Sequence, residues 1–240
     1  MSSKESAAQL VTLVEEYIAK YEGSYSSVQP ECELKFGTRG IKPITKIDFD
    51  NVIRRLLSAG FVMADARPKS ILRMMPQYVD PKTGLTKISN VRCELNGLEA
   101  IQRYCKTNAI PVSGDGHPQM RFVQKSLVRL TNRDVPLDNP VEFDDFNFRV
   151  TLHTETTLDY SKSPLVRGTV ESWRDSKKVF RYITRTTLTH PKLPIVADLS
   201  VVKESNRRGP RLIPEYNVAD SGVFEGREKY EIELEIGTGV

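Results

Sequence analysis

Carboxylates recur at every second position in two places. Near its start the chain reads Glu31-Cys32-Glu33-Leu34-Lys35-Phe36, and near its end Glu231-Ile232-Glu233-Leu234-Glu235-Ile236. Extended backbone sends successive side chains to opposite faces, so the acids share one face, neighbours roughly 6.5–7 Å apart, and the apolar residues take the other. If two such strands lie side by side, five carboxylates crowd one patch, and like charges set opposite one another are destabilising. A hard divalent cation, Mg²⁺ or Mn²⁺, relieves the crowding, because it takes oxygen ligands and keeps several waters.

The segments between carry mostly the opposite charge. Asn90, Arg92 and Glu94 share a face, as do Arg149, Thr151, His153 and Glu155, then Arg181, Arg185 and Thr187, and finally Asp198 and Ser200. Lys125 lies in Phe122–Leu130, where the alternation is less regular. Forked guanidinium groups suit phosphate oxygens. Carboxylates that hold a metal, facing cations that hold a polyphosphate, form a layout for metal-assisted phosphoryl hydrolysis. Taken one strand at a time, the solvated face of a one-sided sheet accounts for each pattern. Taken as a set, the crowded acids argue against it.

These residues need strands to carry them. Period-2 alternation or β-branched and aromatic enrichment marks segments at about 31–37, 70–78, 87–95, 120–130, 146–157, 178–190, 195–203 and 229–236. Clusters of Pro, Gly, Asn and Asp at Asp80–Gly84, Gly114–Pro118, Asn132–Pro140 and Arg207–Pro214 separate several of them. Helices are expected at the N-terminus and at two further places. The first has Ser2 and Glu5 as a capping box, with Leu10, Leu13, Val14, Tyr17 and Ile18 at helical spacing. The second spans about 46–59, opened by Thr45 and Asp48 and stopped by Gly60, and the third about 97–106, entered at Asn96. Strands do not alternate regularly with crossover helices, so the pattern is a β-dominated α+β fold, largely antiparallel, in one domain over 1–240.

At 240 residues the chain has enough material for a real core. No apolar run approaches the ~20 residues of a membrane helix, and the N-terminus lacks the apolar region of a secretory signal. Cys32, Cys93 and Cys105 have neither metal-ligand spacing nor a disulfide framework, and read as small core residues in a reducing, intracellular setting. The net charge of +4 permits a polyanionic partner without demanding one.

The paired strands Glu31-x-Glu33-x-Lys35 and Glu231-x-Glu233-x-Glu235 resemble the signature of triphosphate tunnel metalloenzymes, and within them the RNA triphosphatase domains of large DNA virus mRNA capping enzymes. The stretches Phe180–Thr189, Asp198–Lys203 and Val91–Leu95 resemble that group in order and spacing. The resemblance runs from about residue 8 to 237. It implies an eight-stranded antiparallel β-tunnel with a hydrophilic lumen and helices packed outside. It also implies a metal-dependent reaction with Mg²⁺ or Mn²⁺: removal of the γ-phosphate from 5′-triphosphate RNA, the first step of mRNA capping, with nucleoside triphosphates as further substrates.

Carried over by position, the resemblance implies that Glu31, Glu33, Glu231, Glu233 and Glu235 bind metal. It implies that Lys35, Arg92, Lys125, Arg181 and Arg185 grip the triphosphate, with Lys203 a weaker match because its parity opposes Asp198 and Ser200. Glu155 and Asp198, with Lys35 and Arg181, are the catalytic set, the two acids orienting the attacking water. Arg149 has the right parity and a poor match. Relatives carry a lysine where this chain has Ile183, so Lys177 or Lys178 substitutes or the phosphate subsite is rearranged. The resemblance further implies a viral, non-secreted protein acting in the host cell or virion. It reads as the first domain of a longer capping enzyme, fused to or associated with an RNA guanylyltransferase. The chain itself has no nucleotidyltransferase Lys-x-Asp-Gly motif.

Other residues read more plainly. His153 is expected to be a hydrogen-bonded polar neighbour rather than a proton shuttle. His117 and His190 lie in or beside turns. Trp173 is expected to be an exposed or half-packed loop anchor rather than to stack on a base at a tunnel mouth, and Arg207 and Arg208 to sit in a solvated loop. Two rival functions stay open: an inorganic tripolyphosphatase or nucleoside triphosphatase of the same fold, and a non-catalytic polyanion-binding barrel.

Overall fold

The computed structural model describes residues 3–21, 29–37, 42–114, 116–129, 131–132, 135–136 and 139–236. Eight strands carry the architecture: β1 (Gln29–Phe36), β2 (Lys69–Val79), β3 (Val91–Asn96), β4 (Arg121–Leu127), β5 (Phe148–Leu158), β6 (Lys178–His190), β7 (Leu193–Glu204) and β8 (Lys229–Ile236). They pair in the order β6-β7-β8-β1-β5-β4-β3-β2, and β2 returns to pair with β6. Every pairing is antiparallel, as the strand pattern led us to expect, and the sheet closes on itself, as the family resemblance implied. Closure removes the exposed strand edges that an open sheet of this size would present.

The apolar faces of the strands point outward, and helices cover them. Helix α1 (Ser3–Tyr21) lays Leu13 and Tyr17 on Val150 and Leu152 of β5, and the Tyr17 hydroxyl donates to the His153 carbonyl at 2.7 Å. Ser2, half of the expected capping box, lies outside the described residues. Helix α2 (Lys46–Ser58) begins at a true capping box: Asp48 N–H donates to the Thr45 hydroxyl and Thr45 N–H to the Asp48 carboxylate. Such a cap is worth about 1 kcal/mol. Its Phe49 packs with Leu188, Leu199 and Ile232, and its ring meets Tyr230 at 5.2 Å. Gly60, at φ +95°, turns the chain away, a conformation that costs a residue with a Cβ.

Helix α3 (Leu98–Thr107) starts one residue later than expected, because Gly97 at φ +90° makes the turn out of β3. A fourth helix, α4 (Pro164–Glu171), was not anticipated. Ser163 caps it and Pro164 occupies its first position, where the missing N–H costs nothing. Helices α3 and α4 cover the largest core, where Ile101, Tyr104 and Val166 meet Leu72, Phe122 and Phe180. Each such side chain, fully buried, contributes roughly 1.5–3 kcal/mol. The core therefore lies between barrel and helices, which leaves the barrel interior free for polar groups.

Candidate active site in the tunnel lumen

Strand parity decides what lines the lumen. A cavity of about 570 Å³ runs inside the barrel, lined by eight carboxylates and eight Lys or Arg side chains among the described residues. Glu31, Glu33 and Lys35 of β1 face in, as do Glu231, Glu233 and Glu235 of β8, Arg181 and Arg185 of β6, and Asp198 of β7. Arg92 and Glu94 of β3, Lys125 of β4, and Arg149, Thr151, His153 and Glu155 of β5 line it as well, on the faces that the sequence assigned them.

Register then decides which of them meet. β1 and β8 are neighbours, and they set Glu33 directly opposite Glu235 and Lys35 opposite Glu233. Across the next pair, Asp198 faces Glu233 and Ser200 faces Glu231. Two carboxylate–carboxylate juxtapositions thus stand side by side on one wall, where like charges oppose folding. Their titration records the strain. Burial pushes the Glu235 carboxyl up to about 7, and the negative charges of Glu31, Asp198 and Glu33 add to the push against a partial offset from Lys125. Burial acts on Glu233 as well, but the Lys35 ammonium and Arg185 guanidinium outweigh it and hold that carboxyl well below the usual range.

The cations are spent on these acids. Lys35 bridges Glu231, at 3.3 Å, and Glu233. Arg181 reaches Glu231 at 2.8 Å, and Arg185 reaches Asp198 at 2.6 Å and Glu233 at 3.6 Å. Asp198 also accepts from the Thr187 hydroxyl at 2.6 Å. Lys125 lies 2.7 Å from a carboxylate oxygen of both Glu31 and Glu33. Burial works against its charge, and Glu33 and Glu31 outweigh that and keep it an ammonium. Arg92 makes no ion pair with a described residue, and Arg149 donates to the Gly37 carbonyl at 3.2 Å.

Several expectations need correction. Lys203 lies outside the lumen, its Nζ donating to the Phe224 carbonyl at 3.2 Å, because its odd position on β7 points away from Asp198. Neither Lys177 nor Lys178 stands in for a lysine at 183. Lys177 faces Glu215 at 3.7 Å, and Lys178 is fully buried in the outer core, donating to the Trp173 and Ser176 carbonyls. Ile183 itself faces the lumen and packs with Ile71 and Val202, an apolar patch in an otherwise charged wall. His153 is not hydrogen-bonded through Nδ1, which is buried without a partner. Burial, then Lys125 and Arg92, bring its pKa down to about 4, so the imidazole is neutral. Trp173 is buried against Tyr104, with ring centroids 6.2 Å apart, rather than half-packed on a loop. Cys105 is exposed, while Cys93 is buried and Cys32 partly so.

Two lumen arginines escaped the sequence reading. Arg73 of β2 pairs with Glu94 at 2.8 Å, and Arg121 of β4 pairs with Glu155 at 2.7 Å and approaches Glu94 at 3.6 Å. The signal for Arg121 was its spacing of four from Lys125. Arg73 sits in Ile71-Leu72-Arg73-Met74-Met75, where flanking apolar residues mask the alternation.

The acidic wall fits a divalent cation on a direct observation. Glu31 Oε2, which Lys125 Nζ approaches at 2.7 Å without an aligned hydrogen bond, and His153 Nδ1 are buried atoms with no hydrogen-bond partner among the described residues. One ligand atom from each of Glu31, Glu33 and His153 lies within 4.8 Å of the others. Buried polar atoms left without an aligned hydrogen bond are costly unless a ligand completes them.

No family model matches the chain, and no curated protein matches it. Among solved structures it is similar to the capping enzyme triphosphatase of Mimivirus, at 18% identity and a TM-score of 0.53, over 94% of this chain and 87% of that one. It is also similar to the RNA triphosphatase Pct1 of S. pombe, at 13% identity and a TM-score of 0.47, over 94% of this chain and 77% of that one. At such identities the likeness speaks for architecture alone. That architecture, a closed antiparallel barrel with its charged residues turned inward, is the triphosphate tunnel fold, which this chain shares with the Mimivirus capping enzyme triphosphatase.

Proposed function

We propose that the chain is a divalent-metal-dependent RNA 5′-triphosphatase, which removes the γ-phosphate from 5′-triphosphate RNA in the first step of mRNA capping. The observation that carries this reading is the acidic wall. Glu33 faces Glu235 and Asp198 faces Glu233, an arrangement that stability does not favour and that a bound cation would neutralise. The rest of the lining supports it. A lumen with equal numbers of acids and cations has no surplus positive charge for a polyphosphate, so the anion and a metal would enter as a neutralising pair.

Glu31, Glu33, Glu231, Glu233 and Glu235 would hold Mg²⁺ or Mn²⁺. When bound, such an ion neutralises developing phosphate charge and lowers the pKa of water. Lys35, Arg92, Lys125, Arg181 and Arg185 would take the triphosphate oxygens, and Arg73 and Arg121 join them. Of these, Arg92 has no ion pair with a described residue to give up, so it is the cation readiest to meet phosphate. Glu155 and Asp198 would orient the attacking water. Both are held in place by an arginine, at 2.7 Å from Arg121 and 2.6 Å from Arg185. The diphosphate product suits a guanylyltransferase, and we place the chain as the triphosphatase domain of a larger capping enzyme acting inside the cell. The same contacts would accept nucleoside triphosphates or inorganic tripolyphosphate.

The test is release of γ-phosphate from 5′-triphosphate RNA with Mg²⁺ and with Mn²⁺, for the wild type and Glu233→Ala. Metal-dependent release that collapses in the variant is the expected result. Faster turnover of tripolyphosphate than of RNA would move the assignment to a tripolyphosphatase. No release from any triphosphate by folded protein would leave a polyanion-binding barrel.

A further inference from the structure

The cation nearest Glu31 and Glu33 belongs to the chain itself. Lys125 Nζ lies 2.7 Å from Glu31 Oε2 and 2.7 Å from Glu33 Oε2. It hydrogen-bonds Glu33, yet Glu31 Oε2 is left without a well-aimed partner. His153 stands opposite Glu31 in register across β1 and β5. Its Nδ1, 3.9 Å from Glu33 Oε2, is likewise buried and unpartnered. An ammonium satisfies acceptors only along its N–H bonds, and that of Lys125, aimed at Glu33, leaves Glu31 Oε2 and His153 Nδ1 unpartnered. A divalent ion has no such directional limit and accepts imidazole as well as carboxylate. Three donors therefore converge on a point that an ammonium fills poorly.

We propose that Lys125 is a placeholder for the metal. In the metal-free chain its ammonium neutralises Glu31 and Glu33. On loading, the divalent cation takes those carboxylates together with His153 Nδ1, and the displaced ammonium becomes free to bind a phosphate oxygen of the substrate. The inference rests on the metal-dependent reading above and adds two things to it: a nitrogen ligand, and a lysine that is armed for substrate by metal entry. No covalent bond changes in the exchange. The imidazole also biases the site toward Mn²⁺ over Mg²⁺, since magnesium prefers an all-oxygen shell.

The experiment is Mn²⁺ binding to the full chain without substrate, followed by loss of the free-ion EPR signal. Lys125→Gln is expected to bind Mn²⁺ about tenfold more tightly than wild type, because the competing cation is gone. Arg92→Gln removes the same charge from the same lumen but contacts neither Glu31 nor Glu33, and should change affinity by less than about threefold. The wild-type complex should show nitrogen hyperfine coupling in pulsed EPR, lost in His153→Asn. The proposal is overturned if Lys125→Gln binds no more tightly than wild type, if Arg92→Gln gains as much, or if the nitrogen coupling is absent. Should Lys125→Gln fail to fold, acylation of the unsubstituted chain replaces it. Mn²⁺ is expected to raise Lys125 labelling severalfold, and unchanged or reduced labelling overturns the exchange. Exchange without phosphate release would sink the hydrolase reading alone, and release without exchange would sink only this one.

Discussion

Glu233 and Glu235 stand two residues apart on one strand and titrate in opposite directions, which allows a prediction of opposite sign for two isosteric changes. An unfolded chain ionises Glu235 near 4.5, while burial and the neighbouring acids defer its ionisation in the folded protein to about 7. The folded state therefore loses stability as pH rises from 4.5 to 7, and the loss is complete above that. Glu235→Gln removes the penalty: it should gain little at pH 5 and most at pH 8. The full difference is at most about 3 kcal/mol at ~1.36 kcal/mol per pH unit, and partial solvent exposure reduces it to about 1–2 kcal/mol. Each kcal/mol moves Tm by about 2–4 °C for a chain of this size, so the expected rise at pH 8 is about 2–8 °C. Glu233→Gln has the reverse sign, since Lys35 and Arg185 favour the ionised carboxylate. That contribution is present at pH 5 as well as pH 8 and fades only as pH falls toward the depressed pKa. Losing this charge-assisted pairing should cost about 1–3 kcal/mol. Thermal unfolding in a chelator, at pH 5 and pH 8, reads both. A Glu235→Gln protein no more stable than wild type at pH 8, or one whose gain is the same at pH 5, would refute the reasoning. Both variants should nevertheless lose metal-dependent phosphate release, so that Glu235→Gln exchanges activity for stability.

Three further outcomes are expected. Mn²⁺ at about a hundred times its Kd should stabilise the wild type by about 2.7 kcal/mol, and Glu33→Gln by much less, in a differential melt. Arg73→Met should weaken binding of inorganic tripolyphosphate by about tenfold while leaving Mn²⁺ affinity within about threefold, read by calorimetry. Burial lowers Lys178 to about 8, so between there and the ordinary lysine value of 10.5 the unfolded chain binds the extra proton and the wild type gains stability as pH rises. Its Tm advantage over Lys178→Met should therefore widen from pH 8 to pH 10, and a constant gap would contradict the assignment.

Much of this site could be read from parity alone. In Arg149-x-Thr151-x-His153-x-Glu155 and Glu231-x-Glu233-x-Glu235 the alternation of charge with apolar residues was regular, and the inward face followed from the pleat. Register was not legible, because nothing in either strand states that Glu33 lies opposite Glu235. The adjacency of first and last strands came from family resemblance, and the ion pairs follow from it. Lys178 defeats composition rules outright, since a lysine at a strand start reads as exposed, yet this one satisfies two carbonyls inside the core. Helix α4 was hidden because Ser163-Pro164 reads equally well as a turn, and only the apolar groove beneath Val166 decides for a helix. Lys203 was correctly doubted on parity, whereas Arg73 was missed because apolar neighbours flank it on both faces.

The pairing of β1 with β8 has a consequence for how the protein comes into being. One late segment both shuts the barrel and delivers three of its eight inward carboxylates. Without β8 the remaining strands would form an open sheet with β7 and β1 as unpaired edges. It carries eight inward-facing cations against the five acids that remain. Such a sheet would be a basic trough, open to any polyanion. A chain truncated after Glu228 should bind RNA without sequence preference and with a steep salt dependence, which filter binding would detect. Pairing of β8 with β7 and β1 would then bring in three carboxylates and remove both free edges in one step, so charge balance and barrel closure depend on the same segment.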